Sequence, residues 1–224
     1  MDNTGQVRDQ SSLEVQPDGT YALQTTPGPG SGFICFAKGT HIMTACGARA
    51  IETLSFGDEV VTKDHGLQQI RWIGSRTLHD AGRLADQDMP ITIQANAFGP
   101  GVPHRATQFS PNHAVLLEDW RASIYFGEDE VLTAAKSLLN ADFAHRARRR
   151  EVTYFHILLD QHSLVQANGM WAESLYLGDQ CMHMLSPDYR AQIQNIFPHI
   201  RGNLGGYGQT TRQVVRPHHA SLFA

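Results

Sequence analysis

The stretch "CFAKGTHIMTACGARAIETLSFGDEVVT", residues 35–62, alternates short apolar runs with glycine-bearing turns. "AKGT" (37–40), "ACGAR" (45–49), "SFGDE" (55–59) and then "KDHGL" (63–67) each put a glycine where a tight turn needs positive φ. Between them "HIMTA", "EVVTK" and "QQIRWIG" have strand length and β-favouring residues. Short strands punctuated at this spacing predict an all-β domain built of hairpins. The chain before it has a different texture. Residues 1–32 are rich in Ser, Thr, Pro, Gly, Gln and Asp and end in "PGPGSG" (27–32). They hold too few large apolar residues to form a core, which predicts a flexible leader with at most one strand, near "TYALQTT" (20–26). Cys35 therefore stands at a seam between leader and fold.

Downstream, "MPITIQANAFG" (89–99) reads as another strand, and Ser110-Pro111-Asn112 as a turn leading into an apolar strand. "EDEVLTAAKSLLN" (128–140) carries Val131, Ala134, Ala135 and Leu138 at helical spacing and predicts a short helix. "EVTYFHILLDQHSLVQANGMWAESLYLG" (151–178) reads as a hairpin turning near "DQHS", with Gly169 in a second turn. "SPDYRAQIQNIFPHI" (186–200) predicts a helix capped by Ser186, with Pro187 at its first position. "RGNLGGYGQTTRQ" (201–213) reads as loop, and "RPHHASLFA" (216–224) alternates enough to return as an edge strand. Three segments follow: a leader (1–32), a β domain (33–178) and a C-terminal extension with one helix (179–224).

The 224 residues carry a net charge of −4. Such a balance gives no basic footprint for nucleic acid, and the one basic run, "HRARRR" (145–150), reads as a solvated loop. Three cysteines, Cys35, Cys46 and Cys181, are an odd set without CxxC spacing, which argues against a disulfide framework or a zinc site. The N-terminus lacks the apolar core of a signal peptide, and no apolar run is long enough to span a bilayer. These features predict a protein of the reducing cytoplasm, or one exported by a non-classical route, with no membrane partner.

Taken singly, each candidate residue has a plain alternative. Cys35 in "FICF" is compatible with a small buried hydrophobe, and Cys46 and Cys181 read as structural. Of the twelve histidines, His113, His156 and His162 stand beside apolar strands. With Asp160 they could form a metal set, but no HxxxH or HExxH spacing supports one. A Cys with a His elsewhere in the chain could also serve as nucleophile and base, if the fold brings them together.

Three stretches in order resemble the Hint family, the hedgehog and intein autoprocessing module, closest to the bacterial intein-like group. Residues 35–62 resemble its N-terminal block: Cys, Gly-Thr, a strand, a glycine turn, an apolar-Glu-x-Leu segment and Gly-Asp before a strand. "SPNHAVLL" (110–117) is similar to its Thr-x-x-His block, with Ser110 and His113 in those two places. "YFHILLDQHSLVQANG" (154–169) is similar to its late block, in which His162 follows Tyr154 by eight residues before Ala-Asn-Gly.

The resemblance implies an all-β, horseshoe-like Hint fold and an N–S acyl shift. The Cys35 sulfur would attack the Ile34 carbonyl and leave a thioester. His113 would act as general acid and Ser110 would polarise the peptide, with Asp160 and His162 as the second group. The leader would be the substrate and water or a small nucleophile the acceptor, with no cofactor and no metal. Two places depart from the pattern. Phe155 stands where the family carries Asp, and Glu173-Ser174 stand where inteins carry His-Asn. Without that Asn, full splicing is not implied; self-cleavage at the leader is. The alternatives are an inactive Hint fold serving as a structural or binding module, and a cysteine hydrolase acting in trans.

Overall fold

A computed structural model describes residues 11–15, 21–25, 34–178, 182, 185–200 and 207–215. The chain runs through β1 (Ser11–Val15), β2 (Tyr21–Thr25), β3 (Phe36–Ala37), β4 (His41–Thr44), β5 (Gly47–Ala50), β6 (Glu59–Thr62), β7 (Gly66–Gln69) and β8 (Trp72–His79). It continues through β9 (Ile91–Ile93), β10 (Thr107–Phe109), β11 (Ala114–Glu118), helix α1 (Trp120–Phe126), β12 (Glu130–Ala134), β13 (Ala144–Arg146) and β14 (Glu151–Leu158). Strands β15 (Leu164–Ala167) and β16 (Met170–Glu173) and helix α2 (Pro187–Ile196) follow. The predicted all-β class and the glycine turns hold: Gly39 and Gly47 take φ of 85° and 100°, values that a side chain would strain.

Two antiparallel sheets result. One has the order β13-β9-β10-β3-β14-β8-β1-β2; the other has β12-β11-β16-β15-β4-β6-β7, with β5 paired on β4. The longest register joins β14 to β8, from Glu151↔His79 to Leu158↔Trp72. β14 is buried on both faces, so its residues alternate between two cores. Phe155 and Ile157 join Phe36, Ile42, Val60, Phe109 and Val165 in the core shared by the two sheets. Val152, Tyr154 and Leu158 face the other way, packed with Cys35, Trp72 and the apolar side chains of α2. This second core sets the site, because the C-terminal extension closes it.

Three expectations change. Residues 128–140 form strand β12 and a 3-10 turn, Ala135–Leu138, in place of a helix. Five pairs between β12 and β11 outweigh the helical spacing, and Val131, Leu132 and Thr133 favour a strand. The short helix lies just before it, at α1, capped by Asp119 accepting from the Arg121 amide and ended by Gly127 in the left-handed region. Residues 151–167 are not a hairpin, because β14 and β15 belong to different sheets. The hairpin is β15–β16, turning at Asn168-Gly169. In the leader two strands are described where one was expected. β1 and β2 pair with each other, and Glu14 meets Gly74 of β8. A segment with no core of its own can still extend the edge of an existing sheet through main-chain bonds. The expected edge strand at 216–224 lies outside the described residues. The helix at 186–200 forms as expected, with Ser186 accepting from the Tyr189 amide and Pro187 at its start.

Gly74 is the tightest point of β8. A Cβ there would lie 2.3 Å and 2.5 Å from ring carbons of Trp72. That ring is itself held by α2, so it has little room to yield. Gly74→Ala is expected to cost about 1–3 kcal/mol of stability through overpacking, measured as a lowered denaturant midpoint. An unchanged midpoint would mean that Trp72 repacks freely.

Candidate functional site

Cys35 precedes β3 and is 2% exposed. Its backbone is clamped to the end of β10. The Cys35 amide donates to Ser110 Oγ at 2.9 Å, and the Ser110 amide donates to the Cys35 carbonyl at 2.9 Å. The Ile34–Cys35 peptide is therefore fixed through both the nitrogen and the following carbonyl. Ser110 sits where the turn 110–112 leaves the sheet, and the Phe109↔Phe36 pair just before it sets the register.

His156 provides the closest contacts to that peptide. Its Nδ1 is 2.8 Å from the Ile34 carbonyl oxygen, and the Cys35 sulfur lies 3.6 Å from both ring nitrogens. A carbonyl only accepts, so Nδ1 carries the proton and Nε2 is left as the unprotonated acceptor, 3.6 Å from the sulfur. Period-two alternation on β14 brings His156 to the Cys35 face together with Tyr154. The ring stacks on Trp72 at 6.2 Å with an interplanar angle of 28°. Burial pushes the His156 imidazole down to about 4, with the Ile34 carbonyl opposing and Arg76 adding to the shift. Half-buried Arg76 has its own pKa lowered by burial, while Cys35, Asp88 and Tyr189 favour its charge. A cation thus lies within electrostatic reach of the sulfur. Tyr154 is pushed up, first by burial and then by Cys35 and Asp88, and its hydroxyl donates to the Asp88 carbonyl.

His113 lies fully buried between Phe36 and Phe109, with ring centroids 4.4 Å and 4.8 Å away. Among the described residues, neither ring nitrogen has a hydrogen bond of ordinary geometry. The backbones of Cys35 and Glu173 are nevertheless near enough to favour its charged form. Burial dominates and pushes it down to about 3, and His156 and His162 push the same way. His113 is therefore a neutral imidazole beside the Cys35 backbone.

His162 and Glu173 form a second buried group. His162 Nε2 is 3.2 Å from Glu173 Oε2, and its Nδ1 accepts from the Thr211 amide at 3.1 Å. The other Glu173 oxygen accepts from the Ala114 amide at 2.7 Å, one residue beyond His113. Ser174 Oγ accepts from the Ser163 amide at 3.0 Å. Asp160 stands apart from these residues. Half-exposed, it holds Arg71 in a bidentate pair with both bonds at 2.8 Å. Among the described residues, no group of three or more His, Cys, Asp or Glu is arranged to hold a metal ion.

The structure thus gathers Ile34, Cys35, Ser110 and His113 around one peptide, brings His162 within electrostatic reach of His113, and leaves Asp160 at the surface. It adds His156, Glu173 and Arg76 to the predicted residues. Alternation along "YFH" was the signal for His156, because it shares a face with Tyr154. Phe155, in the family's Asp place, is turned into the inter-sheet core. Glu173, a departure from the intein pattern, is a carboxylate ending an apolar strand and is 4% exposed. A buried carboxylate needs partners, and here it has two.

Among the described residues no helix is long and apolar enough to cross a membrane. None of the curated proteins matches the chain. Among solved structures, the chain is similar to a bacterial intein-like domain from Clostridium thermocellum. The identity is 13%, the match covers 64% of this chain and 100% of that one, and the TM-score is 0.43. It is also similar to the gp41-1 intein at 11% identity, covering 62% and 96% of the two chains, with a TM-score of 0.37. The Hint domain model matches residues 34–179, about two thirds of the sequence and the whole stretch that holds the clamped peptide. The chain belongs to the Hint domain family.

Proposed function

We propose that this Hint domain cleaves its own chain between Ile34 and Cys35 through a thioester. The observation that carries the reading is the single imidazole of His156, in contact with both the attacking sulfur and the carbonyl under attack. Nε2 takes the thiol proton while Nδ1–H polarises the Ile34 carbonyl. The imidazolium formed then faces the tetrahedral oxyanion, and Arg76 favours negative charge at the sulfur. The Ile34–Cys35 C–N bond breaks as the S–C bond forms. The proton lost by sulfur passes from His156 to the Cys35 nitrogen, which Ser110 Oγ holds by its N–H and beside which the neutral His113 lies. An imidazole kept neutral by burial is free to pass that proton on, and negative charge developing beside it raises its affinity for one.

Water or another nucleophile then releases the segment that ends at Ile34, and its proton goes to the sulfur. His162 and Glu173 support the framework around His113, and Asp160 takes no part. Burial of Cys35 favours an intramolecular substrate over a separate one, which disfavours hydrolysis in trans.

Fresh full-length protein treated with hydroxylamine is expected to shed the leader, as seen by intact mass. Cys35→Ala abolishes the reaction, and His156→Gln slows it about 10²- to 10⁴-fold. Release from Cys35→Ala, or a His156→Gln rate equal to wild type, would overturn the mechanism.

The neutral histidines make a second prediction. His113 at about 3 and His156 at about 4 lie below the value of about 6.5 in an unfolded chain. Between these values the unfolded chain binds protons that the folded protein refuses. Stability is therefore full above about pH 6.5 and falls as pH drops towards the folded values, by up to about 1.4 kcal/mol per pH unit for each histidine. Urea unfolding at a series of pH values measures the slope. His113→Gln should remove about one proton's share of it, and an unaltered slope would contradict neutral burial.

A further inference from the structure

The C-terminal extension packs across the face of the sheet that holds Cys35 and His156. Tyr189, Ile193 and Phe197 bury there with Cys35, Trp72 and Tyr154. Trp72 is the intermediary. Its ring stacks on His156, meets Tyr189 edge-on at 5.0 Å, and donates from Nε1 to Gln192 Oε1 at 2.9 Å. The Tyr189 hydroxyl donates to the Ser75 carbonyl on the same strand at 2.9 Å. Under this cover Cys35 and His156 are 2% and 3% exposed, while Ile34 is only half-buried as the chain leaves towards the leader. Ile34 packs at the edge of the same core and keeps partial exposure, while the sulfur lies beneath the wall.

This geometry bears on what resolves a thioester. The freed Cys35 amine sits beside the acyl carbon and reattacks intramolecularly, at an effective concentration that no dissolved acceptor matches. An acceptor succeeds only if it reaches the carbon before that reversal. We propose, on the basis of the thioester reading above, that α2 and Trp72 form the acceptor-selecting wall of the site, with Tyr189 and Gln192 as specificity-determining residues. Small nucleophiles enter past Ile34. Peptide-sized thiols need α2 displaced, which opens locally and leaves the two sheets intact. The exchange is balanced in either case: the acceptor's bond to the acyl carbon forms, the C–S bond breaks, and the acceptor's proton goes to sulfur.

The test compares leader release by hydroxylamine and by glutathione, each rate divided by its rate on a free alkyl thioester. Wild type is expected to disfavour glutathione at least ten-fold after that correction. Tyr189→Phe/Gln192→Leu, which keeps the apolar bulk and removes both hydrogen bonds, should reduce the discrimination several-fold. Wild type showing no discrimination, or a double variant retaining all of it, would overturn the wall. Iodoacetamide labelling of Cys35, mapped by peptide in a Cys46→Ala background, keeps the two ideas apart. Faster Cys35 labelling in the double variant, with no release from either protein by any nucleophile, would sink the thioester reading and the acceptor role with it. Normal release, with labelling and discrimination both unchanged, would sink the wall alone.

Discussion

The hydrogen bond from His156 to the Ile34 carbonyl, with the Cys35 sulfur against the same ring, is the constraint around which the site is arranged. It requires β14 to lie next to β3, because only then does a side chain on β14 face the peptide that enters β3. It requires an exact alternation, with Phe155 turned into the inter-sheet core and His156 turned out. A one-residue slip would exchange the two and leave a phenyl ring beside the sulfur. The eight paired residues of β14 and β8 fix that register, and Trp72 and Gly74 on β8 shape the wall behind the imidazole.

Burial then sets the chemistry. Two sheets share one core, and the C-terminal extension makes a second core on the outer face of the sheet that carries the site. Desolvation in that setting keeps His113 and His156 neutral, so both are proton acceptors at neutral pH. A neutral imidazole against a thiol is a base awaiting a proton. The same burial that keeps the base neutral sets it beneath the C-terminal extension. The buried carboxylate of Glu173 ties the pieces together. It joins the β11 backbone beside His113 to His162, and His162 in turn joins the extension through Thr211.

Much of this could be read from residues alone, and the failures share one cause. Turn chemistry at Gly39 and Gly47, the Ser186 cap and the motif residues Cys35, Ser110 and His113 depend on local spacing, which a sequence displays. Strand partners do not. The segment 128–140 has helical spacing, yet it pairs with β11; β14 and β15 look like one hairpin, yet they enter different sheets. His156 lies one place beyond the position where the family carries Asp, and the face it occupies brings it to Cys35. Asp160 is near His162 in sequence, but it projects from the end of β14 to Arg71 at the surface. Glu173 stands where inteins carry His, and a carboxylate within an apolar strand implies a buried partner.

The most direct measurement is carbon-13 NMR on full-length protein labelled at the Ile34 carbonyl, before and after a mild acid shift that favours the acyl transfer. The account predicts a second carbonyl resonance in the thioester range, absent from Cys35→Ala and lost when hydroxylamine frees the leader. A leader shed while the Ile34 carbonyl passes from amide straight to carboxylate would contradict it, since the cut would then be plain hydrolysis without the sulfur.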